Sequence, residues 1–167
     1  LENSPVDLPA EEIVQGLQRR VIEQIGETVP WRPGARELLA ACREEGVPCA
    51  LVTMSWTDLA AAVVEACDPG TFTVVVTGDG VTHGKPHPEP YASAVRELGV
   101  RASECVALED SPTGVRSAVA AGVPTLAIPH VVEMPAIEGA VPIASLRGLS
   151  PAGLLPTALG HAAAARP

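Results

Sequence analysis

The 167-residue sequence predicts an α/β fold in which a parallel sheet lies between two layers of helices. Short apolar runs alternate along the chain with amphipathic or alanine-rich segments, and this alternation is typical of βαβ units. In the stretch 105–114, CVALEDSPTG, a mostly apolar run ends in two carboxylates directly before a helix start. Because ligands of open α/β sheets bind at the carboxyl ends of strands, this acidic corner indicates a functional site.

The first expected element is an amphipathic helix over residues 9–29, which Pro9 starts and Pro30 stops. Its apolar side chains recur four residues apart, opposite the charged ones, so one face is suited to burial. The residues of this stripe are Ile13, Leu17, Val21 and Ile25, with Val14 and Ile22 alongside.

The remaining elements follow in alternation. Strands are expected at 49–54, 72–76, 105–108 and 125–128, with a weaker signal at 141–144. Helices are expected at 35–45, 58–67, 89–98, 112–121 and 151–159, and residues 161–167 are expected to be a frayed tail. Ser111 suits the N-cap and Pro112 the first position of the helix after the acidic corner, while Thr57 or Asp58 suits the cap of the helix at 58–67.

Composition and charge argue against several classes of protein. Hydrophobic residues make up 47% and charged residues 19% of the chain, which is typical of a globular domain. The net charge of -9 argues against a nucleic acid or an anionic membrane as partner, because the surface as a whole would repel either one. The four cysteines form no CxxC pair, and the sequence has neither a bilayer-spanning apolar run nor a signal segment, so we expect a cytoplasmic protein with reduced thiols.

Polar side chains follow three of the expected strands. Thr53 and Ser55 come at the end of the first, Lys85 lies in the proline-rich loop after the second, and Glu109 with Asp110 follows the third. Such groups at one edge of a sheet suit a phosphate held beside Mg²⁺. The hydroxyls and the lysine would contact phosphate oxygens, and the two carboxylates would bind the metal.

Each of these residues also has a simpler interpretation. Thr53 suits a strand, Ser55 suits a helix cap, and Lys85 suits a solvated loop. Asp110 or Ser111 could serve only to cap the following helix. These alternatives stay open as long as each residue is considered alone.

Three neighbouring residues are assigned structural roles. His83 and His87 are the types of residue that bind metals, but no third ligand is spaced to join them, so we expect ordinary loop histidines. Asp79, in the segment TGDG, is expected to be a turn residue, with a role in the site as the less favoured alternative.

A strand-end hydroxyl residue followed by GKPHPEPY and then by LEDSPTG is an arrangement that resembles the motifs of the haloacid dehalogenase superfamily. The resemblance is to the branch similar to β-phosphoglucomutases and small sugar-phosphate phosphatases. Thr53 in LVTMS matches the second motif of that family, Lys85 in HGKPHPEPY the third, and Glu109 with Asp110 in LEDSPTG the fourth. The resemblance covers about residues 31–129. It implies a three-layer Rossmann-like core over residues 31–160, with residues 1–30 as the tail of a helical cap.

The first motif of that family has no match in the sequence. It is a strand ending in DxDxT, whose first aspartate attacks phosphorus and whose second acts as general acid and base. No DxD occurs in the 167 residues. The resemblance places this strand between the strands expected at 49–54 and 105–108. Without it, those two strands would present unpaired backbone groups to a gap in the sheet. We therefore expect the native protein to be several dozen residues longer at its N-terminus.

The resemblance implies a Mg²⁺-dependent phosphatase that acts on a small phosphorylated metabolite through an aspartyl phosphate. Thr53 and Lys85 would bind the transferring phosphoryl group, Glu109 and Asp110 would hold Mg²⁺, and the 167 residues alone would be inactive because the nucleophile lies outside them. A β-phosphoglucomutase-like phosphomutase is the alternative within the family. A non-catalytic receiver-like module and a truncated, inactive relic are the alternatives from other classes.

Overall fold

The computed structural model describes residues 9–129 and 134–160, and its elements follow the order expected from the sequence. The expected tail at 161–167 lies outside the described residues. The helices are α1 (Ala10–Glu27), α2 (Ala35–Glu44), α3 (Thr57–Glu65), α4 (Glu89–Leu98), α5 (Pro112–Ala120) and α6 (Pro151–Ala158). The strands are β1 (Ala50–Val52), β2 (Val74–Val76), β3 (Ala107–Glu109), β4 (Thr125–Ala127) and β5 (Ala140–Pro142).

All described strand pairs are parallel, which confirms the α/β class, but they form two sheets. β1 pairs with β2, with Leu51 opposite Val75. β3, β4 and β5 form the other sheet, with Leu108 opposite Leu126. Within the described residues no backbone ladder joins β1 to β3, so each of these strands has a free edge. The division falls where the sequence resemblance places a further strand.

The strands are shorter and less covered than the sequence indicates. Each contributes three residues to its ladder, and only β4 is buried at all three. β1, which lies in the run 49–54 expected to be a buried strand, is half-buried at all three residues. Val75 and Leu108, at the centres of β2 and β3, are 40% and 37% exposed. Apolar strand residues favour burial on both faces, so these exposed positions mark a layer that the described residues do not complete.

Helix packing holds the two sheets beside each other. α4 packs on β1 and β2, α5 packs on β3 and β4, and the two helices contact each other. Val52 packs against two apolar clusters, one on either side of the division. The clusters contain Tyr91, Ala107, Ala118 and Val123 on one side and Val74, Val76 and Ala94 on the other.

The long first helix is confirmed, but its apolar stripe is only partly covered. α1 packs against α3, and none of its residues is buried. Val14, Leu17 and Val21 are 56%, 59% and 41% exposed. No described helix combines the length and the apolar character that crossing a bilayer requires.

Candidate active site

The ammonium group of Lys85 joins the ends of the two sheets. Its Nζ donates to the carbonyl oxygen of Val52, at the end of β1, over 2.9 Å. It also donates to Oε1 of Glu109, at the end of β3, over 2.5 Å. The lysine side chain is 10% exposed, so it is not the solvated loop lysine of the simpler interpretation. An ammonium has three protons, and these two bonds leave one for another acceptor.

The loop that carries Lys85 is held by bonds from three directions. The Lys85 N–H donates to Sδ of Met54 over 3.2 Å, and the hydroxyl of Ser117 in α5 donates to the carbonyl of His87 over 2.6 Å. The carboxylate of Glu89 accepts the backbone N–H of Thr82 at the start of the loop. The peptide bond between Lys85 and Pro86 is cis. This loop is therefore fixed to both α4 and α5.

The carboxylate of Glu109 is buried and surrounded by donors. Its Oε1 accepts from Lys85 and, over 2.6 Å, from the hydroxyl of Tyr91, while its Oε2 accepts from the Ser111 hydroxyl over 3.3 Å. Burial raises the pKa of Tyr91 far above its usual range, and the charge of Glu109 raises it further, so this phenol stays protonated and donates. A Cβ atom at Gly114 would overlap the Glu109 carboxylate, so any larger residue there would displace it.

Asp110 has a different environment from that of its neighbour. It is exposed, and it forms no ion pair within the described part of the chain. The cap of α5 is Ser111, as expected, because the Ser111 hydroxyl accepts the N–H of Gly114 over 3.1 Å. The capping alternative for Asp110 is therefore not supported. Its negative charge contributes to the raised pKa of Tyr91.

Thr53 and Ser55 lie where the chain leaves β1. The Thr53 N–H donates to the carbonyl of Val76 over 2.9 Å, and its Oγ1 accepts the N–H of Ser55 over 3.1 Å. Since this hydroxyl accepts from the backbone, its own proton is available to an outside acceptor. The carbonyl of Ser55 accepts from the N–H of Gly78 over 2.9 Å, and both residues are half-buried.

The structure brings two of the five predicted residues, Lys85 and Glu109, into direct contact. Thr53 and Asp110 are the next residues in the chain after Val52 and Glu109, which both accept from Lys85. Within the described residues Ser55 forms no hydrogen bond to Lys85 or to the two carboxylates. The sequence analysis did not identify Tyr91 and Gly114 as site residues, although they are the last residues of GKPHPEPY and LEDSPTG.

The acidic corner fits a magnesium ion, judged by its donors. Mg²⁺ prefers hard oxygen ligands and usually takes one or two protein carboxylates while keeping several waters. The exposed carboxylate of Asp110 meets this requirement. Glu109 is more restricted, because its Oε1 already accepts two hydrogen bonds and only Oε2 has spare capacity.

Asp79 lies in a turn, as expected, and it also caps a helix. Its carboxylate accepts both the N–H and the hydroxyl of Thr57, at the first turn of α3, over 3.0–3.1 Å. The prediction that Thr57 or Asp58 caps α3 is wrong, because the N-cap is Trp56 and makes no side-chain hydrogen bond. Asp79, distant in sequence, supplies the missing acceptor. Hydrogen bonds from Thr77 and then from Thr57 lower the pKa of Asp79.

The two loop histidines do have a third potential ligand nearby, contrary to the expectation from spacing. Glu89, the first residue of α4, places a carboxylate oxygen beside both rings. The sequence does not reveal this because the loop folds back on the helix start.

Comparison with known proteins gives a consistent result. Residues 2–122 match the model of the haloacid dehalogenase-like hydrolases. The chain is 32% identical over 120 residues to hexitol phosphatase B of Escherichia coli (strain K12), covering 71% of this chain and 54% of that protein. It is also 32% identical over 129 residues to phosphoglycolate phosphatase of the same strain, covering 74% and 51%. The chain spans about half the length of the curated relatives it matches.

Among solved structures, CbbY from Rhodobacter sphaeroides in complex with phosphate has a similar fold. The TM-score is 0.79 and the sequence identity is 32%, with 90% of this chain and 71% of that chain covered.

Proposed function

The chain belongs to the haloacid dehalogenase-like hydrolase family, and from this premise we propose that it forms part of the core of a Mg²⁺-dependent phosphatase for a small phosphorylated metabolite. The observation that carries the proposal is the buried ammonium of Lys85, which links Val52 and Glu109 and retains one proton. The relatives named hexitol phosphatase B and phosphoglycolate phosphatase support a small phosphorylated substrate.

Lys85 and Thr53 are the proposed phosphate-binding residues. Each has a donor that the surrounding protein does not use, namely the third N–H of the ammonium and the hydroxyl proton of Thr53. Charge-assisted hydrogen bonds to phosphate oxygens are stronger than neutral ones, and they offset the negative charge that builds up during transfer. Ser55 is a further candidate for phosphate contact.

Asp110, with Oε2 of Glu109, is the proposed ligand set for Mg²⁺. A bound Mg²⁺ would supply positive charge that offsets the phosphate oxygens. Glu109 has a second part in the proposal, because its charge holds the Lys85 ammonium in place. Tyr91 fixes the Glu109 carboxylate by donating to it.

The nucleophile is proposed to lie on a strand from the remainder of the protein, between β1 and β3. The support is twofold: no DxD occurs in the chain, and both strands have a free edge within the described residues. The reaction would proceed through an aspartyl phosphate on that strand. We further propose that residues 31–160 belong to the core and that α1 is the end of a helical cap, since its apolar residues Val14, Leu17 and Val21 are uncovered.

Release of inorganic phosphate from small phosphorylated sugars and acids tests the proposal, using the full-length protein with Mg²⁺ and, in parallel, with EDTA. Phosphate release distinguishes hydrolysis from a mutase reaction, in which the phosphoryl group stays on the sugar. Lys85→Ala should abolish turnover, and Asp110→Asn should abolish it or make it require far more Mg²⁺. Asp58→Asn, which removes an equally exposed carboxylate elsewhere, is the matched control. Full turnover in both site variants would contradict the assignment.

A further inference from the structure

A group of side chains of metal-binding types lies where the loop that carries Lys85 meets α4. His83, His87 and Glu89 each place one ligand atom within 4.8 Å of the other two. The centroids of the two imidazole rings are 4.6 Å apart, and the rings are tilted by 31°. None of the three residues belongs to the phosphate and Mg²⁺ set proposed above.

We propose that His83, His87 and Glu89 bind a transition-metal cation, with Zn²⁺ as the ion that suits them best. Two imidazole nitrogens and one carboxylate are a ligand set that zinc accepts in proteins, with its fourth position open to water. Mg²⁺ is poorly suited to imidazole, so this group and the acidic corner should select different metals.

Two of the three ligand-atom distances are close to what a tetrahedral ion requires, and the third is no more than 4.8 Å. Oε2 of Glu89 lies 2.8 Å from Nδ1 of His83 and 4.0 Å from Nδ1 of His87. Two ligands about 2.0–2.2 Å from a tetrahedral zinc are about 3.4 Å apart. Each distance therefore needs to change by about 0.6 Å, which falls within side-chain adjustment. The histidine side chains are 61% and 49% exposed, so they are free to make this adjustment and an ion has access to them.

Existing contacts already orient the carboxylate. The N–H groups of Thr82 and His83 donate to Glu89 over 2.7 and 2.9 Å, and they use different oxygens. The bond from Thr82 is the main cause of a lowered pKa of Glu89, so the carboxylate is ionised at neutral pH. Such supporting bonds around a ligand are typical of metal sites, because they fix its orientation.

The metal must replace two hydrogen bonds within the triad. In the structure the Nδ1 of His83 is bonded to Oε2 of Glu89 over 2.8 Å, and the N–H of Glu89 donates to Nδ1 of His87 over 3.2 Å. Both are exposed, and hydrogen bonds in such positions contribute little net stability, because water can substitute. Three bonds to Zn²⁺ offset this loss. Since Lys85 lies midway between the two histidines in sequence, a bound ion would also restrict the motion of the loop that carries Lys85.

Zinc binding by the full-length protein tests the proposal by a readout that does not involve turnover. Calorimetric titration with Zn²⁺ is carried out in a large excess of Mg²⁺, which fills the acidic corner. We expect one site per chain, and His83→Gln and His87→Gln should each weaken it by about tenfold or more. Glu97→Gln, at the other end of α4 and exposed, is the control and should leave the affinity unchanged.

Two spectra of the unaltered protein provide a check that does not depend on the folding of any variant. Zn²⁺ should shift the ring nitrogen resonances of His83 and His87, and bound Co²⁺ should show no thiolate charge-transfer band. The absence of a zinc site under these conditions would overturn the proposal. Affinity that survives both histidine substitutions would do the same, since it would place the ion on other residues. A thiolate band would also overturn it, since it would place the ion on a cysteine.

Discussion

Oε1 of Glu109 and Nζ of Lys85 lie 2.5 Å apart between two strands that share no ladder within the described residues. The glutamate is 6% exposed and the lysine side chain 10%, so water screens the pair only weakly. Tyr91 donates to the same oxygen and lies with its ring centroid 5.1 Å from the ammonium. This contact is therefore both a structural link and the centre of the proposed site.

Replacing one partner of this pair should cost much more than replacing both. Lys85→Met leaves a buried carboxylate without its counter-ion, and we expect the free energy of unfolding to fall by about 3–5 kcal/mol. The double variant Lys85→Met/Glu109→Gln removes both charges and should recover part of that loss. Urea unfolding of the single and double variants measures the coupling. Strict additivity of the two single effects would show that the pair is not coupled.

Gly114→Ala should destabilise the protein because its Cβ atom would overlap the Glu109 carboxylate. Overpacking of this kind typically costs about 1–3 kcal/mol. Gly16→Ala in α1 is the matched control, since no atom lies within 4 Å of the added carbon. There the better helix propensity of alanine should stabilise by about 0.5–1 kcal/mol. Equal effects at the two sites, measured by thermal unfolding, would contradict the close approach at Gly114.

The cap that Asp79 provides to α3 should depend on pH. The folded-state pKa of Asp79 lies below the usual 3.8, so its stabilising contribution is present above that value and is lost as the pH falls through the lowered pKa. Asp79→Asn should lower the melting temperature at neutral pH and flatten its decline in acid. Asp58→Asn removes a carboxylate from the first turn of α3 itself and serves as the control. An unchanged acid profile in Asp79→Asn would exclude this role.

For turnover, the hydroxyl group of Thr53 should matter more than the branched shape of its side chain. Thr53→Val keeps the branched side chain but loses both the acceptor for the Ser55 N–H and the proposed phosphate donor. Loss of one transition-state donor typically lowers kcat by about 100- to 1000-fold. Thr53→Ser should retain most of the activity. Steady-state kinetics of the full-length variants would show this, and equal rates in both variants would argue against phosphate contact by the hydroxyl.

Asp110→Asn should change the metal requirement without disturbing the fold, because the residue is exposed. We expect a far higher Mg²⁺ concentration for half-maximal turnover, or no turnover at any concentration, since an amide is a weaker ligand for a hard cation. Circular dichroism should match that of the unaltered protein. A normal Mg²⁺ dependence in this variant would remove Asp110 from the metal site.

The order of elements could be predicted because local signals determine it. The helix Glu89–Leu98 agrees with the sequence at both ends, and Ser111 caps α5 as its residue type suggests. The strand expected at 49–54 is longer than β1 because apolar character continues past Val52, where the chain leaves the ladder. In the absence of any pairing information, an apolar run does not reveal where its ladder stops.

Contacts between distant residues could be predicted only in part. The contact of Lys85 with Glu109 was expected because the carboxyl ends of parallel strands share an edge. Strand order does not predict that Asp79 caps α3, nor that Glu89 lies beside the histidines. Both depend on how a loop folds back, and no periodicity encodes that path.

The division between the two sheets has a consequence for association between copies of the chain. Within the described residues β1 and β3 each keep an unpaired edge, and an unpaired edge is a template for a strand of another molecule. A polypeptide without a strand between them should therefore self-associate more readily than one that contains it, and analytical ultracentrifugation of the two would show the difference.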